Sequence, residues 1–154
     1  MMRGPPRPGP DMPAHATARW PAFALLALGI LGFAAAWLLV ALKAERQLAW
    51  LAPLAAADMV LLLAVMRWPP GWPRAALATL STLATIALAN LAIVAGEVGR
   101  GMGLRPWESA LRLGPDYAWE LLRLATRPLD LAWYGLALLV AAWAGLSARR
   151  RPAP

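Results

Sequence analysis

The stretch Trp20–Leu42, WPAFALLALGILGFAAAWLLVAL, holds no charge and no strongly polar side chain between Arg19 and Lys43. A hydrocarbon core about 30 Å thick needs roughly 20 apolar residues of helix, and this run supplies them. Ala and Leu dominate it, and both are strong helix formers. It lacks the in/out alternation over about 9–11 residues that marks a membrane strand. A transmembrane helix is therefore expected over residues 20–42. Arg3, Arg7 and Arg19 ahead of it resemble the basic start of a signal peptide. The apolar run is too long for that, since a signal core has roughly 7–15 residues, and no clean cleavage site follows before Lys43. The helix is expected to be retained.

Three further runs extend the pattern. Residues 48–66 are apolar except for Asp58, residues 75–96 are rich in Ala and Leu but carry several hydroxyls and Asn90, and residues 131–148 lie between Asp130 and Arg149. The fold class expected is all-α, an integral membrane four-helix bundle over residues 19–148. Composition agrees: 60% of the 154 residues are apolar, against about 45–50% in soluble domains, and mean hydropathy is +0.53. With no Cys, a disulfide scaffold is excluded. Net charge is +7, which invites a nucleic-acid reading. The basic tails lack the interleaved aromatics that stack on bases, so no nucleic-acid partner is expected. Juxtamembrane arginines attract anionic lipid headgroups instead.

Residues 1–18 hold five Pro and two Gly, a composition that cannot bury a core, so a disordered Pro-rich basic tail is expected. Residues 149–154 form a short basic tail. No internal repeat supports an inverted-repeat transporter. With four spans both termini share a side. Arg3, Arg7, Arg19, Arg67, Arg74 and Arg149 to Arg151 fall there, in tails and a short turn. Basic residues in such positions mark the cytoplasmic face. The expectation is a multi-pass protein of a bacterial inner membrane with both termini cytoplasmic. Trp20, Trp50, Trp68, Trp72 and Trp133 fall at helix ends, as an interfacial belt requires. Trp37 and Trp143 lie deeper and are expected to pack.

Between the third and fourth spans, Gly96, Gly99, Gly101 and Gly103 suggest a flexible turn. They lack the strand before and the Lys-Ser/Thr after that a phosphate loop needs. Two short helical units follow over residues 106–127, opened by Pro106 and Pro115 and stopped by Pro128. In the second, Asp116, Glu120, Arg123 and Arg127 share one face by spacing. Such a segment is too short to span and should lie in the interface plane as an amphipathic helix. It is either a simple anchor that covers the bundle or a functional element, a lid over a cavity or a docking face for a partner, for which Trp107, Tyr117, Trp119, Leu121 and Leu122 are the candidates.

Asp58 is the one ionisable residue well inside a predicted span. An Asp there costs about 2.5–3.5 kcal/mol on the insertion scale, so it should face protein or water and counts as a functional candidate. By depth it falls level with Ser81, Thr82 and Thr85 on the third helix and with Gly29 and Gly32 on the first. It is expected to be neutral or solvated by a water pocket, and to hydrogen-bond Thr82 or Thr85. Gly32 and Ala36 give the first helix a slim face, and Ala137, Ala141 and Gly145 give one to the fourth. Ser81, Thr82, Thr85 and Asn90 complete a candidate buried polar site. It serves either as interhelical glue or as part of a conducting path.

Catalytic parts are missing. His15 is the only His and sits in the tail, so zinc and Cys/His or Ser/His systems lack components. No enzyme, metal or cofactor is expected.

The stretches Glu45-Arg46-Gln47-Leu48-Ala49-Trp50, Ala57-Asp58, Pro106-Trp107-Glu108-Ser109-Ala110-Leu111 and Asp116-Tyr117-Ala118-Trp119 resemble small four-helix inner-membrane proteins of proteobacteria. Some of these carry the label of vitamin B12 transport permease component. Permeases of that class are much longer and have more spans, so the resemblance implies a bacterial inner membrane and no transport residues. The leading expectation is a non-enzymatic accessory or scaffold subunit, with a membrane-protein partner or a homo-oligomer. The alternative is a small transporter or channel component with a polar path around Asp58.

Overall fold

The computed structural model describes residues 20–105, 108 and 114–147. Among them the chain is all-α, with no strand. Helix α1 covers Trp20–Ala44. A 3-10 turn at Ala49–Leu51 leads into α2, Ala52–Val65. Helix α3 covers Trp72–Met102, α4 covers Pro115–Ala125 and α5 covers Pro128–Leu146. Proline stands in the first turn of α2, α3 and α5, where the missing N–H has no intrahelical partner to lose. The two tails and Trp107 lie outside the described residues.

Three helices are long and apolar enough to cross a membrane: α1 with 25 residues, α3 with 31 and α5 with 19. The apolar stretch Ala49–Val65 is shorter. It reaches about 25 Å at 1.5 Å per residue.

Helices α2 and α3 pack against each other, and α1 and α5 each pack on both of them. The core is made mostly of alanine. Helix α2 buries Ala52, Ala55, Ala56, Met59 and Leu63, one stripe at three- and four-residue steps. Helix α3 buries Ala75, Ala78, Thr82, Thr85, Ile86 and Ala89 among others. Helix α5 buries Ala137, Ala141 and Gly145, the slim face that their spacing describes.

Helix α1 differs from expectation. It buries Leu26, Ala34, Trp37 and Ala41, while Gly32 and Ala36 are exposed. Trp37 is 1% exposed, and turning this large ring inward rotates the Gly32–Ala36 face out. Trp143, expected to pack, is 72% exposed on the outer face of α5. The inward face of α5 is occupied by its small residues, which leave no room for an indole.

The glycine-rich stretch also departs from the expected turn. Helix α3 continues through Gly96, Gly99 and Gly101 and stops only at Gly103, which is left-handed at φ 67°. Gly costs about 1 kcal/mol relative to Ala within a helix, and tertiary packing offsets this. A β-carbon on Gly96 would lie 3.1 Å from a methyl of Leu42, and Arg100 Nη2 donates to Leu42 O at 2.7 Å. The helix then closes with Leu104 N donating to Gly99 O at 2.8 Å, a bond that satisfies a terminal carbonyl. Arg127, assigned by spacing to the face of α4, instead forms the N-cap of α5 in extended conformation. Pro128 ends one helix and starts the next.

A close backbone approach joins α3 and α5. A β-carbon on Gly145 would lie 2.4 Å from Ala75 Cα and 2.8 Å from Ala75 N. These are backbone atoms that cannot swing aside. Gly71 N also donates to Gly145 O at 3.3 Å. Gly145→Ala is expected to cost about 1–3 kcal/mol through overpacking and to lower the melting temperature followed by tryptophan fluorescence. Gly135→Ala, where a β-carbon meets nothing within 4 Å, should leave it unchanged or raised. Equal behaviour of the two variants would refute the assigned α3–α5 approach.

Candidate functional site

Asp58 sits at the middle of α2 and is half-buried. It lines an open groove of about 420 Å³ between α1 and α2, with Leu25, Leu28, Gly29, Gly32, Phe33, Ala36 and Leu62. Every other wall residue is apolar or glycine. The exposed Gly32–Ala36 face of α1 forms one side, so Asp58 does lie level with Gly29 and Gly32. Its neighbours across the helices are not the α3 hydroxyls.

Those hydroxyls are satisfied within their own helix. Ser81 Oγ donates to Leu77 O at 2.6 Å, Thr82 Oγ1 to Ala78 O at 2.8 Å and Thr85 Oγ1 to Ser81 O at 2.8 Å. This four-residue back-bonding lets Ser and Thr be buried in an apolar helix without a partner elsewhere. The close alanine packing around Thr82 and Thr85, both fully buried, then needs no polar counterpart on α2.

Asn90 is the exception on α3. Its Nδ2 donates to Ile86 O at 2.8 Å, which turns Oδ1 away from its own helix. Oδ1 accepts from Tyr134 Oη of α5 at 3.0 Å and from Gln47 Nε2. Gln47 Nε2 also donates to Tyr134 Oη at 3.1 Å. Three elements are thus tied at one point: the turn after α1, the middle of α3 and the first half of α5. Of this network only Asn90 was a sequence candidate. Gln47 lies in a charged turn outside the apolar runs, and Tyr134 looks like an interfacial anchor, so neither carries a signal by spacing.

Helix α4 packs on α3. Leu121 faces inward to a pocket with Ala41, Ile93, Val94, Glu97 and Val98. On its other flank Trp119 and Arg123 border an apolar pocket of about 350 Å³, which Asn90 and Tyr134 also line. Tyr117 and Trp119 are largely exposed. The proposed docking face is therefore divided: Leu121 packs on the protein, and Tyr117 and Trp119 remain outward. Leu122 belongs to α4 by its backbone.

No protein-family model, curated protein or solved structure matches this chain. The site is therefore read from its own chemistry.

The Gln47–Asn90–Tyr134 network is expected to be cooperative. In a double-mutant cycle, Gln47→Ala and Tyr134→Phe should couple by about 0.6 kcal/mol, the mean for interhelical hydrogen bonds among membrane helices. The quantity is read from reversible unfolding in mixed micelles. Strict additivity would show that the two side chains do not share Asn90.

Proposed function

We propose that this chain is a four-span protein of a bacterial inner membrane that serves as a non-enzymatic accessory subunit. It docks a helix of another membrane protein in the α1/α2 groove. Three apolar helices of spanning length support membrane residence. The stretch Ala49–Val65 is short for a span, and such a stretch is accommodated by local thinning and by flanking side chains that reach the interface. Arg46 and Arg67 flank it on either end.

The observation that carries the docking reading is the position of Asp58. A carboxyl at mid-helix in a groove that opens outward would meet lipid, at a cost of about 2.5–3.5 kcal/mol. Intramembrane acids face protein or water and find partners. The space at Gly29 is filled by Leu62 of α2, but the groove beside Asp58 is also lined by the exposed Gly32 and Ala36. Nothing lies within 4 Å of where a β-carbon on Gly32 would stand. Small residues of this kind let a second helix approach closely. The occupant that fits is a transmembrane helix with a hydrogen-bond donor or a basic side chain at mid-membrane. A conducting path would require polar groups in sequence from Asp58. The α3 hydroxyls that could have continued it spend their protons on carbonyls of their own helix, so docking is the preferred reading.

A photo-crosslinking residue in place of Ala36 should capture one different polypeptide of defined mass from the native membrane. The same residue in place of Leu139, on the outer face of α5, should not. Asp58→Leu should abolish the adduct while leaving helical content intact. An adduct of twice the chain mass would assign a second copy as the occupant, and capture of lipid alone would sink the docking reading. For topology, a reporter active only in the cytoplasm and fused after Pro154 should be active. A reporter that instead requires export and is active at the same position would reverse the orientation or change the number of spans.

A further inference from the structure

At the Ala44 end of the helices a polar cavity of about 320 Å³ is lined by Glu45, Arg46, Gln47, Arg127 and Asp130. It is more enclosed than the groove at Asp58 and is built almost wholly from polar side chains. Its parts come from two elements. Glu45 adopts a left-handed backbone, φ 52°, and so turns the chain sharply after α1. Arg127 and Asp130 come from the start of α5. Asp130 is 8% exposed, and its Oδ2 accepts the Arg127 N–H at 2.9 Å. Its Oδ1 has no hydrogen bond among the described residues.

The inventory of free groups is specific. Gln47 spends its amide N–H groups on Asn90 and Tyr134, so Oε1 is its remaining polar atom. Among the described residues neither Arg46 nor Arg127 has an ion-pair partner. The cavity thus presents two unpaired guanidiniums together with acceptors from Glu45, Asp130 and Gln47. Charges of both signs line one small space without forming an ion pair among the described residues. Asp130 is buried, and Glu45, Arg46 and Arg127 are exposed at the cavity rim. A ligand with one anionic and one cationic group satisfies both sets, whereas a simple anion leaves the carboxylates unmatched and a simple cation leaves the guanidiniums unmatched.

We propose that this cavity binds a phosphoethanolamine group, carried by a phospholipid. Guanidiniums recognise phosphate through paired N–H donors. A primary ammonium offers three N–H donors, as a lysine ammonium does, to the acceptors of Glu45, Asp130 and Gln47. The cavity lies where α1 ends and α5 begins, the level of lipid headgroups if these helices span, so the assignment to a lipid rests on the membrane reading above. The Asp58 groove is a separate place, and failure of the docking reading leaves this cavity's selectivity measurable.

The test uses the full chain in nanodiscs of phosphatidylcholine doped with a second lipid, with retained lipid counted by native mass spectrometry. Phosphatidylethanolamine should be retained about ten-fold over phosphatidylcholine, because a quaternary ammonium donates no hydrogen bond. Stepwise N-methylation should erode retention in steps, a measurement on the unaltered chain. Phosphatidylglycerol should not replace it. Arg46→Gln and Arg127→Gln should each weaken retention about ten-fold, and Glu45→Gln should lower the preference for the primary amine over the quaternary one. Equal retention of the methylated series would overturn the proposal. So would a preference that survives all three substitutions in folded protein. Binding of free phosphoethanolamine with no selectivity among lipids would assign the soluble zwitterion as the source and overturn the lipid.

Discussion

Alanine at the centre of the packing is the constraint on which the rest of the structure depends. Ala52, Ala55, Ala56, Ala75, Ala78, Ala89, Ala137 and Ala141 are all fully or almost fully buried. In lipid the hydrophobic effect does not drive helices together, so close van der Waals packing of small residues must do so. Close packing in turn leaves no interior volume for a polar chamber. Polar residues on the inner faces are satisfied within their own helix, as Ser81, Thr82 and Thr85 are, or at a point where several elements converge, although Trp37 Nε1 and Arg74 Nε are buried without a hydrogen-bond partner among the described residues. The Gln47–Asn90–Tyr134 network is such a point, toward the Ala44 end.

The same constraint places Asp58. Five residues of α2, Ala52, Ala55, Ala56, Met59 and Leu63, already form its inner stripe. The side chain goes to the edge of the helix instead, beside the small residues that α1 turns outward. Groove and acid thus accompany a core filled by Trp37 on α1, by Met59 and Leu63 on α2 and largely by alanine elsewhere. The proposed docking of another helix follows from this placement, a carboxyl beside the exposed Gly32 and Ala36 on the outside of a helical layer.

The helices were legible in the sequence because charge and length define them. The runs between Arg19 and Lys43, or between Arg74 and Glu97, need no knowledge of neighbours. Which face of each helix turns inward was only partly legible. Where most of a helix is apolar, periodicity points nowhere, and the fixed pieces of information are steric. Ala137, Ala141 and Gly145 form a recognisable small-residue face and are buried. Gly32 and Ala36 form a similar one and are exposed, because Trp37 demands the interior and the two faces compete for it. The glycines of α3 carried the opposite ambiguity. Spacing cannot distinguish a hinge from a surface against which Leu42 packs.

The candidate site was the least legible part because its members are not neighbours in any local pattern. Asn90 stood out as a polar residue in an apolar run, but Gln47 and Tyr134 become informative only when α1, α3 and α5 meet. Their convergence also determines the polar cavity beside them. With Asn90 Nδ2 committed to Ile86 O, Gln47 must present its amide N–H groups to Asn90 and Tyr134, and its oxygen is what remains. A glutamine pinned in this way holds the turn that carries Glu45 and Arg46 against the start of α5. The network therefore does more than join helices. It also holds together the two sides of the polar cavity that Glu45 and Arg46 line with Arg127 and Asp130.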